Sequence, residues 1–214
     1  MKCTKFTSDY TQFLRRLVSR LIVVASIMLL SAGTAAAFVI DIHQKDLAGI
    51  GNLATADSII ATPGTLIASR SAKIIDFDDL GDSTQGLFSI NNPWPGGAVS
   101  SFAAHVTGAF SLGADGIFTL GLNHDDGARL MIDGVTWASA DGVVDNRNSE
   151  ATGFLSAGVH KVDIVYFENF GGASLEFYSG NAGSGGLVIP EPTILALLAL
   201  GLAGMGFSRR RPVL

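Results

Sequence analysis

From residue 102 onward the apolar positions fall in short runs punctuated by glycine, at 102–106, 116–122, 128–132, 135–137, 154–155, 159–167 and 173–178. Runs of this length and spacing predict β-strands, and their number predicts an all-β fold, an antiparallel β-sandwich. Within 159–166 apolar and polar residues alternate for several positions, the period of two expected of a strand with one face on a core. Asp133-Gly134 between two runs is a two-residue hairpin signal, and Ala157-Gly158 is expected to turn the chain into the next strand. Upstream the pattern is weaker. Segments 57–60 and 73–77 are strand candidates, and NNPWPGGAVSS at 91–101 is a loop whose Trp94 covers a sheet edge or enters the core. Between Phe38 and Ile189 no long amphipathic helix and no internal repeat is evident.

The two ends of the chain follow other patterns. Lys2, Lys5, Arg15, Arg16 and Arg20 precede an apolar stretch at 21–30, too short for a span and of the length of a signal-peptide core. Ala35 and Ala37 supply small residues for signal-peptidase cleavage, so residues 1–37 are expected to be a signal peptide, with an uncleaved anchor as the alternative. The residues after Arg15-Arg16 do not continue a twin-arginine pattern, which favours general secretion. At the other end Pro190-Glu191-Pro192 cannot lie inside a helix. The uncharged segment 193–207 reads as a short apolar helix of about 22 Å, marginal against a hydrocarbon core of about 30 Å. Arg209, Arg210 and Arg211 follow it as a cytoplasmic stop. Residues 190–214 therefore read as an address that inserts in the membrane.

Between these ends lies one domain, residues 38–189, most clearly patterned at 102–180. It holds six basic against seventeen acidic residues, a net charge of −11. Such a chain has no basic stripe to grip phosphates, which excludes nucleic acid as a partner and suits cations or simply solubility. The single cysteine, Cys3, lies in the leader, so the expected exported domain has neither disulfide nor thiol chemistry.

Two resemblances follow from the quoted residues. VIPEP at 188–192, the apolar run and the arginines resemble the PEP-CTERM sorting signal of exopolysaccharide-producing Gram-negative bacteria. That resemblance implies processing by exosortase after transient inner-membrane anchoring, then release to the cell surface or extracellular matrix. FAAHVTGAFSLGADGIFTLGLNHDDGARLMIDG and LSAGVHKVDIVYFENFGGASLEFYSG resemble the two halves of the domain first named in bacterial-toxin protective antigen, a β-sandwich also found in yeast adhesins and glycosidases. In the adhesin members, adjacent aspartates matching Asp125 and Asp126 hold calcium across a cis peptide. An asparagine matching Asn169 and backbone carbonyls, here those of Gly171 and Ala173, complete the protein's share, and sugar hydroxyls fill the open positions.

The chemistry is compatible with that transfer. Calcium takes six to eight oxygens at about 2.3–2.6 Å in irregular geometry, and the implied set provides about five, leaving room for a diol or water. In a sandwich, loops at one end meet even when their strands are far apart in sequence. The bland alternative is that Asp126-Gly127 is an ordinary turn and that the acidic side chains are only solvated. His124 reads as a solvated turn residue rather than a ligand, and Asp133 as a turn residue. His160 and Tyr166 are placed on strand faces, and Phe167, Phe170 and Phe177 in the core or on a rim rather than as a stacking platform. Trp94 and Trp137 read as core or edge-covering residues.

The leading expectation is a non-catalytic, calcium-assisted carbohydrate-binding or adhesion module tied to exopolysaccharide or biofilm. The second is a structural surface protein with no specific ligand. A glycosidase ranks third, because no pair of acids is placed across a cleft, and no Ser-His-Asp spacing, phosphate loop or zinc motif is present.

Overall fold

A computed structural model describes residues 37–44, 49–79, 87–88, 92–98, 100–180 and 186–188. The expected signal peptide and sorting tail lie outside these residues. Among the described residues no helix is long and apolar enough to cross a membrane.

The fold is an antiparallel β-sandwich. In chain order the elements are β1 (Phe38–His43), α1 (Leu53–Ala61), β2 (Leu66–Ala72), β3 (Asp76–Asp78), β4 (Phe102–Leu112), β5 (Gly116–Asp125), β6 (Gly127–Ile132), β7 (Val135–Ala140), β8 (Arg147–Leu155), β9 (Gly158–Glu168), β10 (Ser174–Ser179) and β11 (Gly186–Leu187). One sheet runs β2-β1-β4-β9-β6-β7 and the other β11-β10-β5-β8, with β3 also paired to β10. Every strand pairing within the sheets is antiparallel.

Strand parity decides what fills the space between the sheets. On β9, Val162, Ile164 and Tyr166 join Phe102, Ala104 and Val106 of β4 and Leu120 and Leu122 of β5 in one core. The alternate residues Val165 and Phe167 face outward, yet they are buried, because α1 lays Leu53, Ala56 and Ile59 over them. Residues 57–60 are a strand candidate by sequence. The structure places those residues in the helix, whose start is capped by Asn52, the Oδ1 of which accepts the Thr55 N–H. Only three of its nine residues are buried, a stripe too short for periodicity to reveal. Asp57 holds the helix to β6 through a two-point contact with the Arg129 guanidinium at 2.8 and 3.1 Å.

Two tryptophans close the sandwich edges. Trp94 is only 3% exposed, stacked between Phe77 and Tyr166 at centroid distances of 5.2 and 5.1 Å, and donates its indole N–H to the Ala173 carbonyl. On the opposite edge Trp137 of β7 donates to the Ala151 carbonyl of β8 at 2.8 Å. Its ring occupies the place of a side chain at Gly153, where a Cβ would come within 2.7 Å of the indole.

Asp133 and Gly134 both have positive φ, as a type I′ hairpin requires. The Asp133 side chain accepts from the Lys161 N–H at 2.8 Å and from His160 Nδ1 at 2.7 Å. His160 Nε2 faces the Ser156 carbonyl at 2.8 Å. Both ring nitrogens thus face acceptors, an arrangement that only the imidazolium satisfies. Burial pulls the His160 pKa down, but the hydrogen bonds to Ser156 and Asp133 and the Asp133 charge outweigh it, and the net shift is upward from 6.5. Burial pushes Asp133 up, but the His160 and Lys161 hydrogen bonds and charges outweigh it, and the net shift is downward from 3.8. A raised histidine pKa stabilises the fold fully below the unfolded value and loses that contribution as pH rises through the folded one. We therefore expect wild type to melt above His160→Gln by the equivalent of about 1 kcal/mol near pH 5–6, a figure discounted for the exposure of Asp133. Thermal melts from pH 5 to 9 should show the gap closing on the alkaline side.

Candidate functional site

The chain crosses between the two sheets through a single residue. β5 ends at Asp125 in one sheet and β6 begins at Gly127 in the other, so Asp126 sits at the end of the sandwich, between them. The Asp125–Asp126 peptide bond is cis, the bond implied by the adhesin resemblance. Because the strands are antiparallel, the β7–β8 loop (141–146) and the β9–β10 loop (169–173) arrive at this same end. Together they enclose a pocket of ≈ 670 Å³ lined by Asp125, Asp126, Val143, Val144, Asp145, Arg147, Phe170, Gly171 and Gly172.

Asp126 ties both loops down. Its Oδ1 accepts the Val144 N–H at 3.0 Å and its Oδ2 accepts the Asn169 N–H at 2.8 Å. Burial raises its pKa, opposed by those two backbone donors. The Asp126 carbonyl is held in turn by His124 Nδ1, whose Nε2 lies 2.8 Å from the Ser149 hydroxyl. The expectation of a solvated His124 is therefore corrected. Parity with Leu120 and Leu122 turns its ring inward, and burial lowers its pKa, leaving a neutral ring with one N–H for the carbonyl. An amide network among Asn123, Asn146, Asn148 and Ser174, with contacts of 2.8–3.0 Å, anchors the β7–β8 loop from below.

The remaining expected ligands divide. Gly171, at φ 116°, lines the pocket in a backbone conformation that favours glycine. Asn169 reaches the site through its backbone, but its side-chain oxygen lies against Gly49, where an added Cβ would fall 1.8 Å from it. Ala173 is fully buried, and its carbonyl accepts from Trp94 Nε1 at 3.2 Å and from the Asp79 N–H at 3.1 Å. Of the expected ligands, Asp125, Asp126 and Gly171 line the pocket, whereas the Asn169 side-chain oxygen sits beside Gly49 and the Ala173 carbonyl already accepts two hydrogen bonds.

A third acid, not among the expected ligands, joins Asp125 and Asp126. Glu168 ends β9 with the inward parity of Ile164 and Tyr166 and is 0% exposed. One oxygen each from Asp125, Asp126 and Glu168 lie within 4.8 Å of one another. Burial, then the charges of Asp126 and Asp125, push the Glu168 pKa up to about 9. An acid at the inward parity of a core strand was the available signal. The 141–146 loop was missed because β8 after it (RNSEATGFL) is an edge strand with exposed polar residues and little apolar pattern.

The rims are apolar. Phe170 is 60% exposed on one loop and Val143 54% on the other, so Phe170 is a rim residue, whereas Phe167 and Phe177 are buried.

A sandwich with an acidic, loop-bounded pocket at one end is the class that these features define. Residues 84–188 match the PA14 domain, and residues 188–211 match the PEP-CTERM protein-sorting motif. The chain carries a PA14 domain and ends in a PEP-CTERM sorting signal, which marks it for export and a cell-surface fate. Among solved structures it is similar to the PA14 domain of the antifreeze protein MpAFP (15% identity, TM-score 0.55, 72% of this chain and 86% of that one). It is also similar to a PA14 sugar-binding domain from an RTX adhesin (20% identity, TM-score 0.52, 72% and 95%). A third is the A domain of epithelial adhesin 9 from Candida glabrata, in complex with Galb1-4GlcNAc (12% identity, TM-score 0.51, 76% and 93%). At these identities the likeness is one of fold. No curated protein matches the sequence.

Proposed function

We propose that the protein is a surface or matrix carbohydrate-binding module with no catalytic activity, whose pocket works with a bound calcium ion. The observation that carries this reading is the convergence of Asp125 and Asp126 in a pocket open to solvent, beside the glycine backbone of 171–172 and two apolar rims. The residues present suit such an ion. They offer hard oxygen donors at spacings compatible with calcium, and a buried carboxylate oxygen beside them has no hydrogen-bond partner. Asp125 and Asp126 would hold the ion, with the backbone at Gly171 beside them. Calcium bound there would supply a positive centre for a pair of sugar hydroxyls. Phe170 and Val143 give the apolar ring faces of a sugar a surface to cover, as carbohydrate pockets pair a few polar groups with apolar walls. Two proteins of similar fold, one a sugar-binding domain and one in complex with Galb1-4GlcNAc, support the same reading.

In this reading residues 1–37 are a signal peptide, 38–189 the exported domain and 190–214 the sorting tail. Signal peptidase and exosortase are the processing partners, the inner membrane of a Gram-negative bacterium is a transient station, and exopolysaccharide or a surface glycan is the ligand. A glycan array probed with the full chain in detergent, in calcium and again in EDTA, tests it. Binding to a defined group of glycans only in calcium is expected. Blank spots in both buffers would favour a structural surface protein with no specific ligand.

A further inference from the structure

Resting on the calcium reading of the pocket, we infer that Glu168 is a further ligand, adding a third carboxylate to those of Asp125 and Asp126. Three observations converge on it. Glu168 Oε1 is buried and has no hydrogen-bond partner. Its Oε2 lies 3.2 Å from the Tyr166 hydroxyl, but that hydroxyl also donates to the Asp125 carbonyl, and a phenol has one proton to give. With the proton on Asp125, an ionised Glu168 has no donor for either oxygen, a costly state in a core unless a cation supplies the counter-charge.

The third observation is the fate of the alternatives. The Asn169 oxygen sits beside Gly49 and the Ala173 carbonyl already accepts two hydrogen bonds, while one carboxylate oxygen each of Asp125, Asp126 and Glu168 converge. Their mutual spacing of at most 4.8 Å is about twice a calcium–oxygen distance of 2.3–2.6 Å, which permits all three to touch one ion. Asp125 and Asp126 line the pocket, whereas Glu168 is fully buried beside the Tyr166 hydroxyl. An ion held by these three carboxylates would lie beside the pocket that Gly171 and Phe170 line. Three negative charges on one face select a divalent or trivalent oxygen-seeking cation over a monovalent one.

The test uses the full chain in detergent with terbium(III) as the probe, displaced by calcium. Tyr166 touches two of the proposed ligands and stacks on Trp94, so bound terbium should luminesce on aromatic excitation. Glu168→Gln preserves size but removes the charge and one carboxylate oxygen. It is expected to weaken calcium displacement about tenfold or more and to add about one coordinated water by terbium lifetimes in H2O against D2O. Its melting point in EDTA should stay close to that of wild type, because the amide keeps the size of the acid and carries no charge into the core. Glu168→Asp, which keeps the charge but shortens the arm, should show a smaller loss of affinity and serves if the first variant does not fold. Unchanged affinity and hydration in these variants, with wild type binding, would overturn the role of Glu168 and leave the calcium site standing. No sensitised emission from wild type at all would remove the calcium reading and this inference with it.

Discussion

Trp94→Ala is expected to be among the two most damaging single substitutions in the domain, costing about 3–5 kcal/mol. The indole fills the opening between the sheets, stacked on Phe77 and Tyr166 and set edge-on to Phe102 at 4.9 Å. Its removal leaves a cavity among rigid rings that cannot collapse, and it also takes a donor from the buried Ala173 carbonyl. For a domain of this size the loss should lower the melting temperature by roughly 6–20 °C. Since Tyr166 rests on Trp94 and its hydroxyl meets Asp125 and Glu168, the variant should also bind calcium more weakly. Differential scanning calorimetry in EDTA reads the first effect and calorimetric titration the second.

Asp126→Ala is expected to act on stability and binding together. It deprives the Val144 and Asn169 amides of their acceptors, at about 1–3 kcal/mol for each unsatisfied group, partly offset by relief of a buried acid. A net loss of about 2–4 kcal/mol should appear even in EDTA, and the rise in melting temperature that calcium gives wild type should vanish. Asp125→Asn separates the two roles. Its carbonyl contact with Tyr166 is backbone, so this variant should keep most of the stability in EDTA and lose the calcium response. Equal calcium responses in wild type and both variants would place the ion elsewhere.

Much of the sandwich could be read from the chain because β4, β5, β6, β9 and β10 carry their information locally, in alternation and in punctuating glycines. Asp133-Gly134 was legible for the same reason. What could not be read depends on tertiary cover. The helix α1 buries its stripe only because Val165 and Phe167 offer an outward apolar face, and β8 is a strand because β5 pairs with it along its whole length. At the site, Asp125, Asp126 and the glycine loop were found by motif, and the structure brings them together. The orientation of Asn169 and the occupation of the Ala173 carbonyl depend on Gly49, Asp79 and Trp94, residues 79 to 120 positions away in the chain with no local signal. His124 and Glu168 were different. Parity with Leu122 and with Tyr166 places both on the inward face, a signal carried by the period of two.

The central claim is that this end of the sandwich holds calcium, and calorimetric titration of the full chain with calcium, in detergent, tests it most directly. The account predicts a saturable heat with one ion per chain, abolished in Asp125→Asn, and a melting temperature that rises with calcium and falls back in EDTA. A featureless titration, with identical melting in calcium and in EDTA, would contradict it.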